Sequence, residues 1–323
     1  MNIGIDVMGG DFAPLEAIKG IHEYLTSNHF PNSKQVTITA IGNHSAIEGL
    51  LQKYQLTHIP ILHAEEVIGY NEHPTKALKE KPKSSIAIGF HLLATQKIDA
   101  FISAGNTGAM LVGALFSIKA IEGVIRPTIA TILPKLSGNT GLLLDVGLNA
   151  DCKPEHLEQF AVLGSLYAQH ILHISNPKVG LLNVGEEEGK GNILAQSTFP
   201  LLKNNAQIHF SGNMEGRDLF NDKADVIVCD GFTGNVVLKL AESFYDIAHQ
   251  RNFHNDNYIQ RFHYENYGGT PVLGVAKPVI IGHGISNAKA FANMIDVAEK
   301  MIETELCKKI EQSFQNQKAV STE

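Results

Sequence analysis

Short apolar, β-branched runs alternate along the chain with longer stretches in which apolar residues recur every three or four positions. The runs at 3–7, 36–41, 59–63, 100–103, 128–133, 142–146, 179–183, 207–210, 226–229 and 279–281 predict strands. Several are apolar nearly throughout, as strands covered on both faces must be. Between them lie helical patterns. Leu157, Phe160, Ala161, Gly164 and Tyr167 fall on one face, and so do Ala288, Phe291, Ala292, Ile295 and Ala298. This repeated order predicts an α/β fold with a largely parallel sheet and helices on both sides. The expected layout is one large domain over 1–307, with room for a second lobe within about 127–225. A polar tail over 308–323 is expected to fray.

Composition narrows the classes. Among 323 residues, 44% hydrophobic and 18% charged describe a globular chain, and the net charge of −7 argues against wholesale nucleic-acid binding. The start, MNIGIDVMGGD, lacks the basic region of a secretory signal. The longest apolar run, 108–118, is about half the roughly 20 residues of a membrane span. Cys152, Cys229 and Cys307 match no zinc spacing and suit a reducing compartment. The expectation is a cytoplasmic protein, or one in loose contact with a membrane surface, with no cofactor and no bound metal.

The chemistry is expected in the loops, because open parallel sheets bind ligands at the carboxyl ends of their strands. Asp6, Gly9, Gly10 and Asp11 form the first loop, which is neither a dinucleotide fingerprint nor a Walker loop. Ser103, Gly105, Asn106, Thr107 and Gly108 open a small-residue helix, where free amides attract anions; the plain alternative is helix capping. Asp145 and Asp230 each end an apolar strand, where a carboxylate needs a partner or a task. Asn149 and Lys153 follow Asp145, and Thr233, Asn235 and Lys239 follow Asp230. Asn183 and Lys190 flank the acidic run 186–188, which either faces water or holds magnesium. Asn213 follows the run at 207–210, and His283, Ser286, Asn287 and Lys289 follow the last strand. Cys152 has no histidine beside it in sequence and reads as a small buried residue rather than a nucleophile.

Taken in order, the stretches MGGDFAP, ISAGNTGA, LLLDVGLNADCKPEH, VGLLNVGEEEGKGN, GNMEGRDL, ADVIVCDGFTGNVVLK, YGGTPVLG and IGHGISNAK resemble the bacterial phosphate acyltransferase family. They span nearly the whole chain. The resemblance implies a Rossmann-like α/β/α fold, similar to phosphotransacetylases and isopropylmalate dehydrogenases, and a homodimer. It also implies transfer of a fatty acyl group from acyl carrier protein to inorganic phosphate, supplying a membrane glycerol-3-phosphate acyltransferase in phospholipid synthesis. Two positions depart from the pattern, Leu148 and Ile285, and the segment 243–264 is short and polar where many members carry an apolar hairpin.

In that reaction phosphate attacks a thioester that is already activated, so orientation and oxyanion stabilisation suffice. Ser103, Asn106, Lys153, Lys239 and His283 are the expected catalytic residues. The remaining loop residues, Lys190 and Lys289 included, are expected to hold substrate. An acidic carrier requires a local basic patch, and Lys76, Lys79, Lys81 and Lys83 supply the candidate. Two other readings stand beside this one: a phosphotransacetylase acting on short acyl-coenzyme A, and a binding protein without turnover.

Overall fold

The computed structural model describes residues 1–253 and 255–320. The chain begins with β1 (Asn2–Asp6), α1 (Leu15–Thr26), β2 (Thr37–Gly42), α2 (His44–Lys53), β3 (Ile61–His63), α3 (Pro74–Glu80), α4 (Ser85–Ala94), β4 (Ala100–Ser103) and α5 (Thr107–Gly113). It continues with β5 (Thr128–Pro134), β6 (Thr140–Leu144), α6 (Pro154–His170), β7 (Lys178–Leu182), α7 (Ile193–Asn204), β8 (His209–Met214), β9 (Val226–Val228), α8 (Gly231–Gln250) and α9 (Asn257–Gln260). It closes with β10 (Gly269–Leu273), β11 (Val279–Gly282), α10 (Ala288–Glu303) and α11 (Leu306–Val320). Contacts divide it into two units: Met1–Ala120 with Glu265–Cys307, and Ile121–Tyr264 with Lys308–Glu323. The second unit reaches beyond the 127–225 window on both sides.

In the first unit the strands run β3-β2-β1-β4-β11-β10. All neighbours are parallel except β10 against β11. β1, β4 and β11 therefore point their carboxyl ends the same way. The Asp6 loop, the Ser103 loop and the His283 loop emerge together. One layer over this sheet is the pair α1 and α10, which buries Ile18, Ile21, Phe291 and Ile295. Burying each such side chain contributes about 1.5–3 kcal/mol. Gly20 permits the approach, because a Cβ there would sit 2.4 Å from Phe291 Cβ.

In the second unit the order is β5-β6-β9-β7-β8, parallel except β5 against β6. The predicted face of α6 is buried throughout, from Leu157 to Tyr167. Elsewhere in the unit, Phe220, Phe244, Phe262 and Tyr258 form a cluster of edge-to-face aromatic pairs. Such pairs add roughly 0.5–1.5 kcal/mol each beyond burial.

Every predicted strand is present, with ends shifted by a residue or two, except that β8 runs four residues past its expected end. β10 was not foreseen, because Gly269 and Pro271 weaken its strand signal. The tail also differs from expectation. Residues 306–320 form a helix that buries Leu306, Ile310 and Phe314, spaced four apart, so this apolar edge outweighs the polar composition. Residues 321–323 lie outside the described residues.

Candidate active-site loops

The first unit gathers its candidates around a buried pair. Asp6 is 1% exposed, and Ser103 Oγ donates to its Oδ2 at 2.6 Å. The amide of Met8 donates to Asp6 Oδ1 at 3.0 Å, and that of Gly105 donates to Ser103 Oγ at 3.0 Å. Burial raises the Asp6 carboxyl above the usual range, against the opposing pull of Ser103 and the loop amides. Only glycine fits at position 9, since a Cβ would meet the Gly105 nitrogen at 2.6 Å. The amide of Asp11 donates to Gly284 O at 2.7 Å, tying the first loop to the His283 loop. The structure thus brings Asp6, Gly9, Gly10, Asp11, Ser103, Gly105 and the backbone beside His283 into one neighbourhood.

Asn106 is spent on building this loop. Its Oδ1 accepts from Ala109 N at 2.9 Å, and its Nδ2 reaches the carbonyls of Gly69, Tyr70 and Glu72. Asn287 caps α10 in the same manner, while Ser286 keeps a buried Oγ with no hydrogen bond. Thr107 is exposed and Gly108 half-buried at the start of α5, and Lys289 bonds the Asn266 side chain. Two neighbours escaped the sequence reading. Tyr70 donates to Ala104 O at 3.1 Å, and Ser85 lies buried beside Asp6. Both come from helices and loops distant in sequence, so no local motif announces them.

In the second unit Asp145 is fully buried and saturated. Its Oδ1 accepts from the amides of Gly147 and Leu148, and more weakly Ile129. Its Oδ2 accepts the amide and the side chain of Asn149, both at 2.7 Å. Asn149 also donates to Pro127 O, and Gly231 N donates to Asn149 O, which joins the Asp145 loop to the start of α8. Asp230 caps α8 through Thr233 N at 2.9 Å and Thr233 Oγ1 at 2.8 Å. Asn235 donates to Val146 O. Asn183 and Lys190 meet through Asn183 Nδ2 and the Lys190 carbonyl, and Asn213 donates to Glu187 O. The acidic run is spread over lysines, with Glu186 on Lys223 and Glu188 on Lys203.

The cations differ in how free they are. Lys239 pairs with Glu242 at 2.7 Å and is exposed, whereas Lys153 and Lys190 are exposed with no ion pair among the described residues. Arg126, not foreseen, lies close enough to His156 and Cys152 to act on both. His156, held below the usual range by burial and then by Arg126, accepts the amide of Lys153 at Nδ1. Burial, then Asp145, pushes the Cys152 thiol up to about 11, which disfavours a thiolate. Of the four candidate docking lysines, Lys76 meets Glu80, Lys81 meets Glu72 and Lys83 meets Glu65.

These features define the class first. The fold resembles a phosphotransacetylase from Streptococcus pyogenes, with a TM-score of 0.66 at 16% identity, covering 93% of this chain and 94% of that one. It equally resembles a branched-chain phosphotransacylase from Enterococcus faecalis V583, with a TM-score of 0.63 at 14% identity over 94% and 99%. At these identities the likeness concerns the fold alone.

Sequence relationship goes further. Residues 1–251 and 253–309 match the family described as fatty acid synthesis protein, and the chain belongs to that family. It is 44% identical to a phosphate acyltransferase of Dictyoglomus turgidum over 96% of both chains. It is 43% identical to a phosphate acyltransferase of Halothermothrix orenii over 94% of this chain and 95% of that one.

Proposed function

We propose that this protein is a phosphate acyltransferase that moves a fatty acyl group from acyl carrier protein to inorganic phosphate, releasing free carrier and an acyl phosphate for phospholipid synthesis. The relatives supply the reaction. The observation that carries it onto this chain is the buried Asp6–Ser103 pair, set among glycine loops at the carboxyl ends of β1, β4 and β11.

Chemically, a phosphate oxygen adds to the thioester carbonyl carbon, the carbonyl oxygen takes the negative charge, and collapse expels the carrier thiolate. Phosphate is held by the amides around Gly10 and Gly105–Gly108, with His283 balancing its charge. Ser103 hands the phosphate proton toward Asp6, whose raised affinity for a proton suits an acceptor. Asn106 and Asn287 fix the loops rather than touch the reacting atoms. In the second unit, Asp145, Asn149 and Asp230 hold the loops around Lys153, and Asn183 and Asn213 hold the loop that carries Lys190. Lys239, spent on Glu242, ranks below them.

The working form is a homodimer in the cytoplasm or loosely on the membrane surface, feeding a membrane glycerol-3-phosphate acyltransferase. Exposed Phe232, Val236, Leu240 and Ile247 along α8 support a covered face. Among the described residues no helix is long and apolar enough to cross a membrane.

Purified protein is mixed with palmitoyl-carrier thioester, with and without phosphate, and acyl phosphate is trapped with hydroxylamine. Hydroxamate that requires both substrates is expected. Turnover of acetyl-coenzyme A alone would point to a phosphotransacetylase, and silence with both to a binding protein.

A further inference from the structure

Within the first unit, Ser103 takes its orientation from a loop amide. Its oxygen accepts from Gly105 N at 3.0 Å, while its own proton points to Asp6 Oδ2 at 2.6 Å. The peptide that supplies this amide joins Ala104 to Gly105, both buried. The carbonyl of the same peptide accepts from the Tyr70 hydroxyl at 3.1 Å. A peptide is planar, so fixing its carbonyl also fixes where its N–H points. Glycine on one side lets such a plane turn easily, which gives a tether something to hold.

Tyr70 does not need this bond to keep its own segment in place. Asn106 Nδ2 reaches the carbonyls of Gly69, Tyr70 and Glu72, and Glu72 accepts the Gly69 amide at 2.6 Å and pairs with Lys81 at 2.6 Å. Tyr70 as a whole is 50% exposed, but its hydroxyl lies against Gly284, where a Cβ would sit 3.0 Å from it. Burial of that hydroxyl, then neighbouring Asp11, pushes it up to about 12 against the pull of the Gly10 amide, so it remains a donor at neutral pH.

We propose that Tyr70 is a positioning residue for Ser103. Its hydroxyl holds the Ala104–Gly105 peptide, the peptide aims the Gly105 N–H at the Ser103 oxygen, and the Ser103 proton is thereby kept on Asp6. Hydrogen bonds in such a chain polarise one another, so loss of the outermost weakens the innermost. The inference rests on the proposed role of Ser103 in acyl transfer.

Tyr70→Phe keeps the ring and the other ties of the segment. With palmitoyl-carrier thioester and phosphate, kcat is expected to fall about tenfold, with KM for the thioester unchanged. In a Ser103→Ala background the same change should cost less than about twofold, because the hydroxyl it aims is gone. A tenfold loss in both backgrounds, or no loss from Tyr70→Phe alone, overturns the inference. A second readout needs no turnover. In protein carrying isotope-labelled glycine, Tyr70→Phe should speed hydrogen exchange at the Gly105 amide about tenfold and leave the glycine amides of the second unit unchanged. Unaltered exchange at Gly105, or faster exchange at glycines throughout, also overturns it. Absence of phosphate-dependent hydroxamate from the parent strikes the reaction reading instead, and exchange at Gly105 then decides the tether alone.

Discussion

Each unit ends a buried strand in an aspartate, and the two carboxylates are held in opposite ways. Asp145 is surrounded by donors: amides of its own loop, the Ile129 amide and the Asn149 side chain fill both oxygens. Asp6 is as deeply buried, yet faces the hydroxyls of Ser103 and Ser85 and only the amides of Met8 and Gly9, and burial dominates its affinity for protons. A saturated carboxylate organises a loop. An under-supplied one stays poised to exchange a proton. Identical positions in the strand pattern thus carry different duties, decided by how many N–H groups the following loop turns inward.

The sharpest way to break this comparison is Asp145→Ala. It strands several buried donors at once, so a loss of roughly 3–5 kcal/mol in unfolding free energy is expected by urea titration. A loss below about 1 kcal/mol would mean that the loop holds itself without the carboxylate. Asp145→Asn keeps part of the acceptor set and should cost less.

Next come the catalytic variants of the other unit. Ser103→Ala should lower kcat by about 10²–10³ with an intact fold, since it removes a donor and the link to Asp6. Asp6→Asn should lower kcat about 10²-fold while leaving the melting temperature unchanged or higher, because a costly buried charge is gone. A rate within threefold of the parent in both variants would move the chemistry away from β1 and β4.

The third prediction concerns pH. The folded Asp6 carboxyl binds its proton more tightly than the unfolded one, so the stability linked to it is fully present below the ordinary carboxylate range. That stability is lost as pH rises through the raised value. Asp218, held low by the Glu215 amide and by Lys223 and Asn221 against its own burial, contributes with the opposite sign. The difference between parent and Asp6→Asn isolates the first effect. The stability gained by the variant should grow as pH rises from about 4 toward 7. A difference independent of pH would show that Asp6 is ionised as easily in the folded protein as in the unfolded chain.

The legibility of the sequence divides along the same line. Strand and helix positions were readable because apolar periodicity is local, and they fixed which loops lie at the carboxyl ends. The partners of a loop residue are not local. Asn106 and Asp230 look alike in sequence to Ser103 and Asp6, being polar residues in glycine loops. The structure shows the first two capping helices and the second two facing each other across β1 and β4. Tyr70, Ser85 and Arg126 enter these surroundings from distant segments, so only tertiary packing reveals them.

The smallest expected effect tests the lysine segment, where fold and composition disagree most. Residues 76–83 alone are basic, but the fold adds Glu65, Glu66 and Glu72, giving four glutamates to four lysines over 65–83. Ion pairs at such exposure contribute little to stability, about 0–1 kcal/mol, yet they cancel the field an acidic carrier would feel. Lys79 is the exception, exposed and without an ion pair among the described residues. Lys79→Glu should therefore raise KM for the carrier thioester about threefold at low salt, with kcat unchanged and the effect fading at high ionic strength. A tenfold rise would mean that the carrier displaces the glutamates and meets all four lysines, whereas no change would place carrier docking on another surface.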